Sequence, residues 1–145
     1  MGLLARWYVA PRLARLPRDI ALQPLLAVHT FRYIGLVFLA PAAAPSLAQS
    51  FAVPAGLGTA IAGVLALVSI ALLRARSRFA IPLIWIFSVE GLVDFANAFV
   101  QARSATVVSE LGAAYYVPIV IVPAAVIAHL MIVGLLLRRE GQRVG

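Results

Sequence analysis

The sequence predicts an all-α integral membrane protein, a four-helix bundle with both termini in the cytoplasm. Three observations carry that reading. Hydrophobic residues make up 63% of the 145-residue chain, and mean hydropathy is +1.02, well above the balance of a soluble domain. The apolar residues fall into four runs, at about 20–40, 56–73, 79–100 and 116–137, each near the ~20 residues a helix needs to cross hydrocarbon. The arginines collect at alternate ends of those runs, as the positive-inside rule describes. Three parts follow: a basic amphipathic segment 1–19, a transmembrane domain 20–137, and a basic tail 138–145.

The opening segment, MGLLARWYVAPRLARLPRD, mixes Arg6, Arg12, Arg15 and Arg18 with Leu3, Leu4, Trp7 and Tyr8. That mixture suits the headgroup region of an anionic leaflet. Gly2 is not a myristoylation site, because Arg6 stands where Ser or Thr is needed. The first apolar run holds His29 and Arg32, three apart and so on one face, with Tyr33 adjoining. In the connection 41–55, Pro41, Pro45 and Pro54 keep the first two helices from merging. An arginine-rich start, an apolar run and Ser46-Leu47-Ala48 also have the outline of a cleaved signal peptide. The run is longer than a signal's apolar core and His29 and Arg32 interrupt it, which favours retention of 1–48 over cleavage.

The second run, GLGTAIAGVLALVSIALL, is rich in glycine and alanine, which let helix backbones approach closely in lipid. Its polar residues, Thr59 and Ser69, can bond their own backbone, so it reads as a packing helix. The fourth run opens on Tyr115 and Tyr116, an interfacial belt, and carries His129. Pro118 and Pro123 predict a kink that frees carbonyls toward the interior and opens a cavity beside the polar residues of the third run. Arginine marks the amino end, positions 74, 76 and 78, and positions 138, 139 and 143. Segment 41–55 has no charge, and 101–115 has only Arg103 and Glu110. Both termini and the 74–78 turn are therefore expected in the cytoplasm.

Composition excludes several chemistries. Without cysteine there are no disulfides, thiolate nucleophiles or Cys-ligated zinc or iron–sulfur sites. Without lysine there is no retinal Schiff base and no Walker A lysine. The +7 net charge comes from arginines at span ends, a membrane pattern and not a nucleic-acid surface. Four spans nearly exhaust the chain, leaving no soluble catalytic module.

The third run is the unusual one. In FSVEGLVDFANAFVQ, Glu90, Asp94, Asn97 and Gln101 recur at steps of four, three and four. On a helix they form one stripe, extended by Phe87. A carboxylate at mid-membrane costs about 2.5–3.5 kcal/mol on insertion scales, so the stripe is expected to face other helices. Gly91 and Ala98 leave room beside it. At about 1.5 Å per residue, Arg32 and Glu90 lie about 16 Å from the cytoplasmic ends of their runs, and His29 and His129 about 12 Å. These depths pair Arg32 with Glu90 and His29 with His129. Interhelical polar contacts contribute only about 0.6 kcal/mol on average in membranes, a poor return on two acids and an arginine. The stripe therefore reads as a site that binds or processes a small apolar or amphipathic ligand, such as an isoprenoid, sterol-like or quinone-like lipid. Glu90 and Asp94 would stabilise positive charge or move a proton, and Arg32, Asn97, His29 and His129 would orient the ligand or the acids. Three alternatives stand beside it. His29 and His129 are the minimum set for a bis-histidine b-type haem. A homo-oligomer could line an ion-coupled pathway with the stripe. A structural or assembly subunit could use it to pair helices.

Three stretches carry a resemblance: HTFRYIGLVFLAPAAAPSLAQSFAVPAGLG at 29–58, EGLVDFANA at 90–98 and YYVPIVIVPAAVIAHLMI at 115–132. Together they resemble an uncharacterised family of small bacterial membrane proteins with four predicted helices. The likeness covers about 29–137, and Arg32, Asp94 and His129 fall on matching positions. Thr59 departs from it, standing where the family often has an acid. The resemblance implies the architecture and a bacterial inner-membrane setting, and it names no activity. A looser likeness, in architecture alone, is to the sterol isomerase and sigma-2 receptor superfamily.

Overall fold

The computed structural model describes residues 2–101, 103 and 109–137; the basic tail with Arg138, Arg139 and Arg143 lies outside the described residues. Within them the chain is helical and has no strand. Four helices are long and apolar enough to cross a bilayer: Arg18–Leu39, Gln49–Arg74, Ala80–Gln101 and Gly112–Leu137. Their outward surfaces are apolar, with Ile61, Val64 and Val68 on the second helix and Ile86, Val89 and Val93 on the third all exposed. Lipid imposes that arrangement, because large side chains gain nothing there by turning inward. The inward faces use small residues in compensation. On the second helix Ala62, Ala66 and Gly63 are buried. A Cβ on Gly63 would lie 3.1 Å from the Tyr33 ring.

The first helix packs on the second and fourth, and the third also packs on the second and fourth. One apolar core, including Leu22, Leu26, Ala66, Ile84, Phe87 and Ile132, occupies the end nearer the amino terminus. Leu13, from the short helix Ala10–Ala14, closes that end. Before it, Gly2–Leu4 and Ala5–Val9 are also helical and leave Trp7 and Tyr8 exposed. A second core, including Phe38, Phe51, Leu111 and Val117, fills the opposite end.

The first helix changes character halfway. It is α-helical over Arg18–Thr30 and 3₁₀ over Phe31–Leu39. A 3₁₀ helix has three residues per turn, so positions three apart eclipse one another. The buried residues of that stretch are Arg32, Gly35 and Phe38, and His29 is buried one step before them. A single edge of the helix therefore carries the histidine, the arginine, a glycine and a phenylalanine in line. Gly35 permits the contact, since a Cβ there would meet Thr59 Cβ at 2.9 Å.

The second helix begins earlier than expected. The proline-rich connection ends at Ala48 instead of 55, and Pro54 lies inside the helix. Pro54 stands one turn past the helix start, where its missing N–H removes a single bond. Burial of Phe51, Ala52 and Ala55 against Phe38 and Leu111 offsets that loss. The remaining loop is pinned by a hydrogen bond from Ala113 N to Ala43 O of 2.9 Å. Gly112 makes this possible: its φ is +51°, and a Cβ there would sit 2.8 Å from the same oxygen.

At the other end the second helix closes with a Schellman turn, Arg76 N donating to Leu73 O and Ser77 N to Leu72 O. Arg76 occupies the left-handed position that glycine usually fills, at φ +52°. The fourth helix is irregular where its prolines lie. A 3₁₀ turn Gly112–Tyr115 and a π turn Val117–Ile121 precede the α-helix Val122–Leu137. Pro118 and Pro123 each remove a helical donor, and the chain answers with a wider turn.

Candidate functional site

Between the two cores lies a buried polar cluster. Arg32 is 2% exposed and donates from Nη2 to Asp94 Oδ2, an ion pair joining the first helix to the third. The guanidinium also lies over the Phe95 ring, its Cζ 4.4 Å from the centroid. Helix registers explain the partner. Arg32 is fourteen residues past the start of its helix at Arg18, and Asp94 fourteen past Ala80. At about 1.5 Å per residue both sit about 21 Å along. The expectation that depth would match Arg32 to Glu90 is corrected, because the first helix begins earlier than its apolar run does.

The acidic stripe does not face inward as a whole. The buried residues of the third helix are Ala80, Ile84, Phe87, Ser88, Gly91 and Phe95. At about 100° per residue that face centres near Gly91, with Asp94 about 70° from the centre, Glu90 about 110° and Asn97 about 130°. Asp94 turns inward and Glu90 is half-buried, its Oε2 buried without a hydrogen-bond partner. Asn97 is exposed and accepts a 3.0 Å hydrogen bond from Gln101 Nε2, so it is not among the clustered residues. Space for Asp94 comes from the second helix, where a Cβ on Gly58 would lie 2.9 Å from Asp94 Cγ. Sequence reasoning read Gly58 only as generic packing. Gly56 and Gly58 face different neighbours, Leu39 and Asp94, so no spacing in the sequence marks Gly58 as the partner of Asp94.

His29 and His129 meet as depth predicted. Both are fully buried, their ring centroids 5.0 Å apart in an edge-to-face contact. Phe87 lies 4.9 Å from each ring. His129 Nε2 donates to Ser88 O at 2.8 Å, which leaves its Nδ1 bare. Gly91 allows that contact, since a Cβ there would sit 2.6 Å from His129 Cε1 and 3.2 Å from Arg32 Nη1. This geometry does not fit a bis-histidine haem. Two axial imidazoles stand on opposite faces of a porphyrin plate, whereas here the rings touch and share Phe87. Ser88 was not singled out from sequence, and its role rests on its backbone carbonyl.

Several buried polar atoms lack partners: both His29 nitrogens, His129 Nδ1, and Arg32 Nε and Nη1. Buried donors and acceptors are nearly always satisfied, by water where protein offers nothing. Beside the cluster is a cavity of about 290 Å³ lined by residues of all four helices. Phe38, Phe51, Phe95, Phe99 and Tyr115 form its walls, and Asp94 and Thr59 supply its polar lining. Thr59 Oγ1 is already committed, donating toward Ala55 O at 2.8 Å or Gly56 O at 2.9 Å. Asp94 is therefore the polar group on which an occupant would converge. The irregular start of the fourth helix makes this space, for Val117, Pro118 and Ile119 of the π turn all line it.

Comparison with known proteins returns no match among curated proteins and none among solved structures. A family model described as "Domain of unknown function (DUF8737)" matches residues 1–137. That match takes in all four long helices and every residue of the buried cluster, and the chain belongs to this family.

Proposed function

We propose that the protein is a multi-pass inner-membrane protein that binds a small amphipathic ligand in the cavity lined by its four helices. The four helices form a bundle, with both termini and the 74–78 turn in the cytoplasm, where Arg74, Arg76 and Arg78 meet the anionic leaflet. The observation that carries the reading is an aromatic-walled cavity with one carboxylate, Asp94, in its lining. Ligand sites have this make-up: mostly apolar walls, with few polar groups to set orientation. Structural glue alone would call for a closed contact, and here a carboxylate is left beside open space. Asp94 and the Arg32 behind it orient the polar end of the ligand, while Phe38, Phe51 and Phe99 enclose the apolar end.

Untargeted mass spectrometry of small molecules retained by the purified protein tests this. Wild type is compared with Ala98→Phe, which places a ring in the cavity wall one helical turn from Asp94. A compound present with wild type and absent from the variant supports the proposal. Identical bulk lipid in both preparations overturns it.

A further inference from the structure

Deepening that reading, and resting on it, we infer that the ligand is a small organic monocation, an apolar amine whose ammonium group is received by Asp94. The argument is a count of charge. Among the described residues the interior of the four helices holds one cation, Arg32, and two carboxylates, Glu90 and Asp94. The histidines add no charge. His29 has no acceptor for either nitrogen and is enclosed by Phe87 and His129, so an imidazolium there would be uncompensated. His129 donates to one carbonyl and leaves its other nitrogen bare, as a neutral ring does. The cluster thus holds one carboxyl group more than it has cations. In surroundings of low dielectric the surplus carboxyl is balanced by a proton until a cation arrives, and a bound ammonium takes that proton's place.

The arrangement shows where that charge enters. Arg32 uses one donor on Asp94 and keeps Nε and Nη1 unpartnered at 2% exposure. Glu90 lies within electrostatic range of Arg32, and its buried Oε2 has no partner. An arriving ammonium takes Asp94 from the cavity side, and the guanidinium moves one helical turn to Glu90. Every charge is then paired: ligand with Asp94, Arg32 with Glu90. The walls suit the same ligand, since aromatic faces attract cations. A carboxylate ligand would meet Asp94 directly and be repelled. A neutral alcohol would supply no charge to replace the proton on the surplus carboxyl.

The test uses three probes with one apolar body: 2-phenylethylamine, 2-phenylethanol and 3-phenylpropanoate. Each is titrated into detergent-solubilised full-length protein by calorimetry and by shift of the unfolding midpoint. The amine is expected to bind about tenfold or more tightly than the alcohol, as a charge-assisted hydrogen bond exceeds a neutral one, and the carboxylate not to bind. Glu90→Gln, checked for folding by its own unfolding midpoint, should weaken the amine about tenfold and leave the alcohol unchanged. Ala98→Phe should abolish binding of every probe. If amine and alcohol bind equally, or Glu90→Gln keeps full amine affinity, the charge inference fails while the cavity reading stands. If no probe binds wild type, or Ala98→Phe binds like wild type, both fail.

Discussion

Removing the carboxylates one at a time and then together reports how Arg32 is held. Arg32 is 2% exposed and ion-paired to Asp94, with Glu90 one turn away on the same helix. Stripping every partner from a buried charge costs about 3–5 kcal/mol. Losing one neutral interhelical contact in a membrane costs about 0.6 kcal/mol, and at most about 1.7. If Glu90 can accept the guanidinium, Asp94→Asn should fall near the second scale, at about 1–2 kcal/mol. Glu90→Gln, which removes no hydrogen bond to Arg32, should cost less than about 1 kcal/mol. The double variant leaves Arg32 without a carboxylate and should cost about 3–5 kcal/mol, well beyond the sum of the singles. Adding Arg32→Met to the double variant should recover most of that loss, because the uncompensated charge is gone. Reversible unfolding by SDS in mixed micelles measures all four. The reasoning is refuted if Asp94→Asn alone costs the full amount and Glu90→Gln adds nothing. Arg32 would then be fixed on Asp94 and Glu90 would play no part.

The same unfolding assay checks two backbone predictions. Arg76→Gly should stabilise the protein by about 1 kcal/mol, since the left-handed position in the Schellman turn then carries no Cβ. Gly91→Ala should destabilise by about 1–3 kcal/mol by driving a methyl into His129 and Arg32. Gly134→Ala, with nothing within 4 Å, is its control and should be neutral or stabilising. Asn97→Leu should be tolerated within about 0.5 kcal/mol because the side chain is exposed. Topology can be mapped directly, as the chain has no native cysteine. Ser77→Cys should react with an impermeant maleimide only from the cytoplasmic side, and Ser46→Cys only from the opposite side.

How much of this was legible in the sequence differs from residue to residue. The long helices were, because in lipid the backbone must satisfy its own hydrogen bonds and long apolar runs leave no other solution. The meeting of His29 with His129 was expected from depth, although the early start at Arg18 moves His29 by as much as Arg32. Arg32 was assigned too shallow a position because the first helix extends past its apolar run to Arg18, through residues that hydropathy does not mark. The row Glu90, Asp94, Asn97, Gln101 looked uniform since side-chain period defines a stripe but not which edge of it turns inward. Gly58 and Arg32 on neighbouring helices select Asp94, and nothing comparable draws Asn97 in. The period of three through His29, Arg32, Gly35 and Phe38 was present in the sequence and foreshadows the 3₁₀ stretch. Space beside the stripe was expected from Pro118 and Pro123, but the π turn that shapes it was not legible, because its width follows from how the two prolines are accommodated.

The pairing of Arg32 is the centre of this account, and solid-state NMR in lipid bilayers reads it directly. Dipolar recoupling between the ¹⁵N-labelled Arg32 guanidinium and ¹³C-labelled carboxyl groups should show contact with Asp94 in the ligand-free protein. Saturating 2-phenylethylamine should transfer that contact to Glu90. A guanidinium with no carboxyl contact in the free protein, or one that stays on Asp94 when the amine is bound, would contradict it.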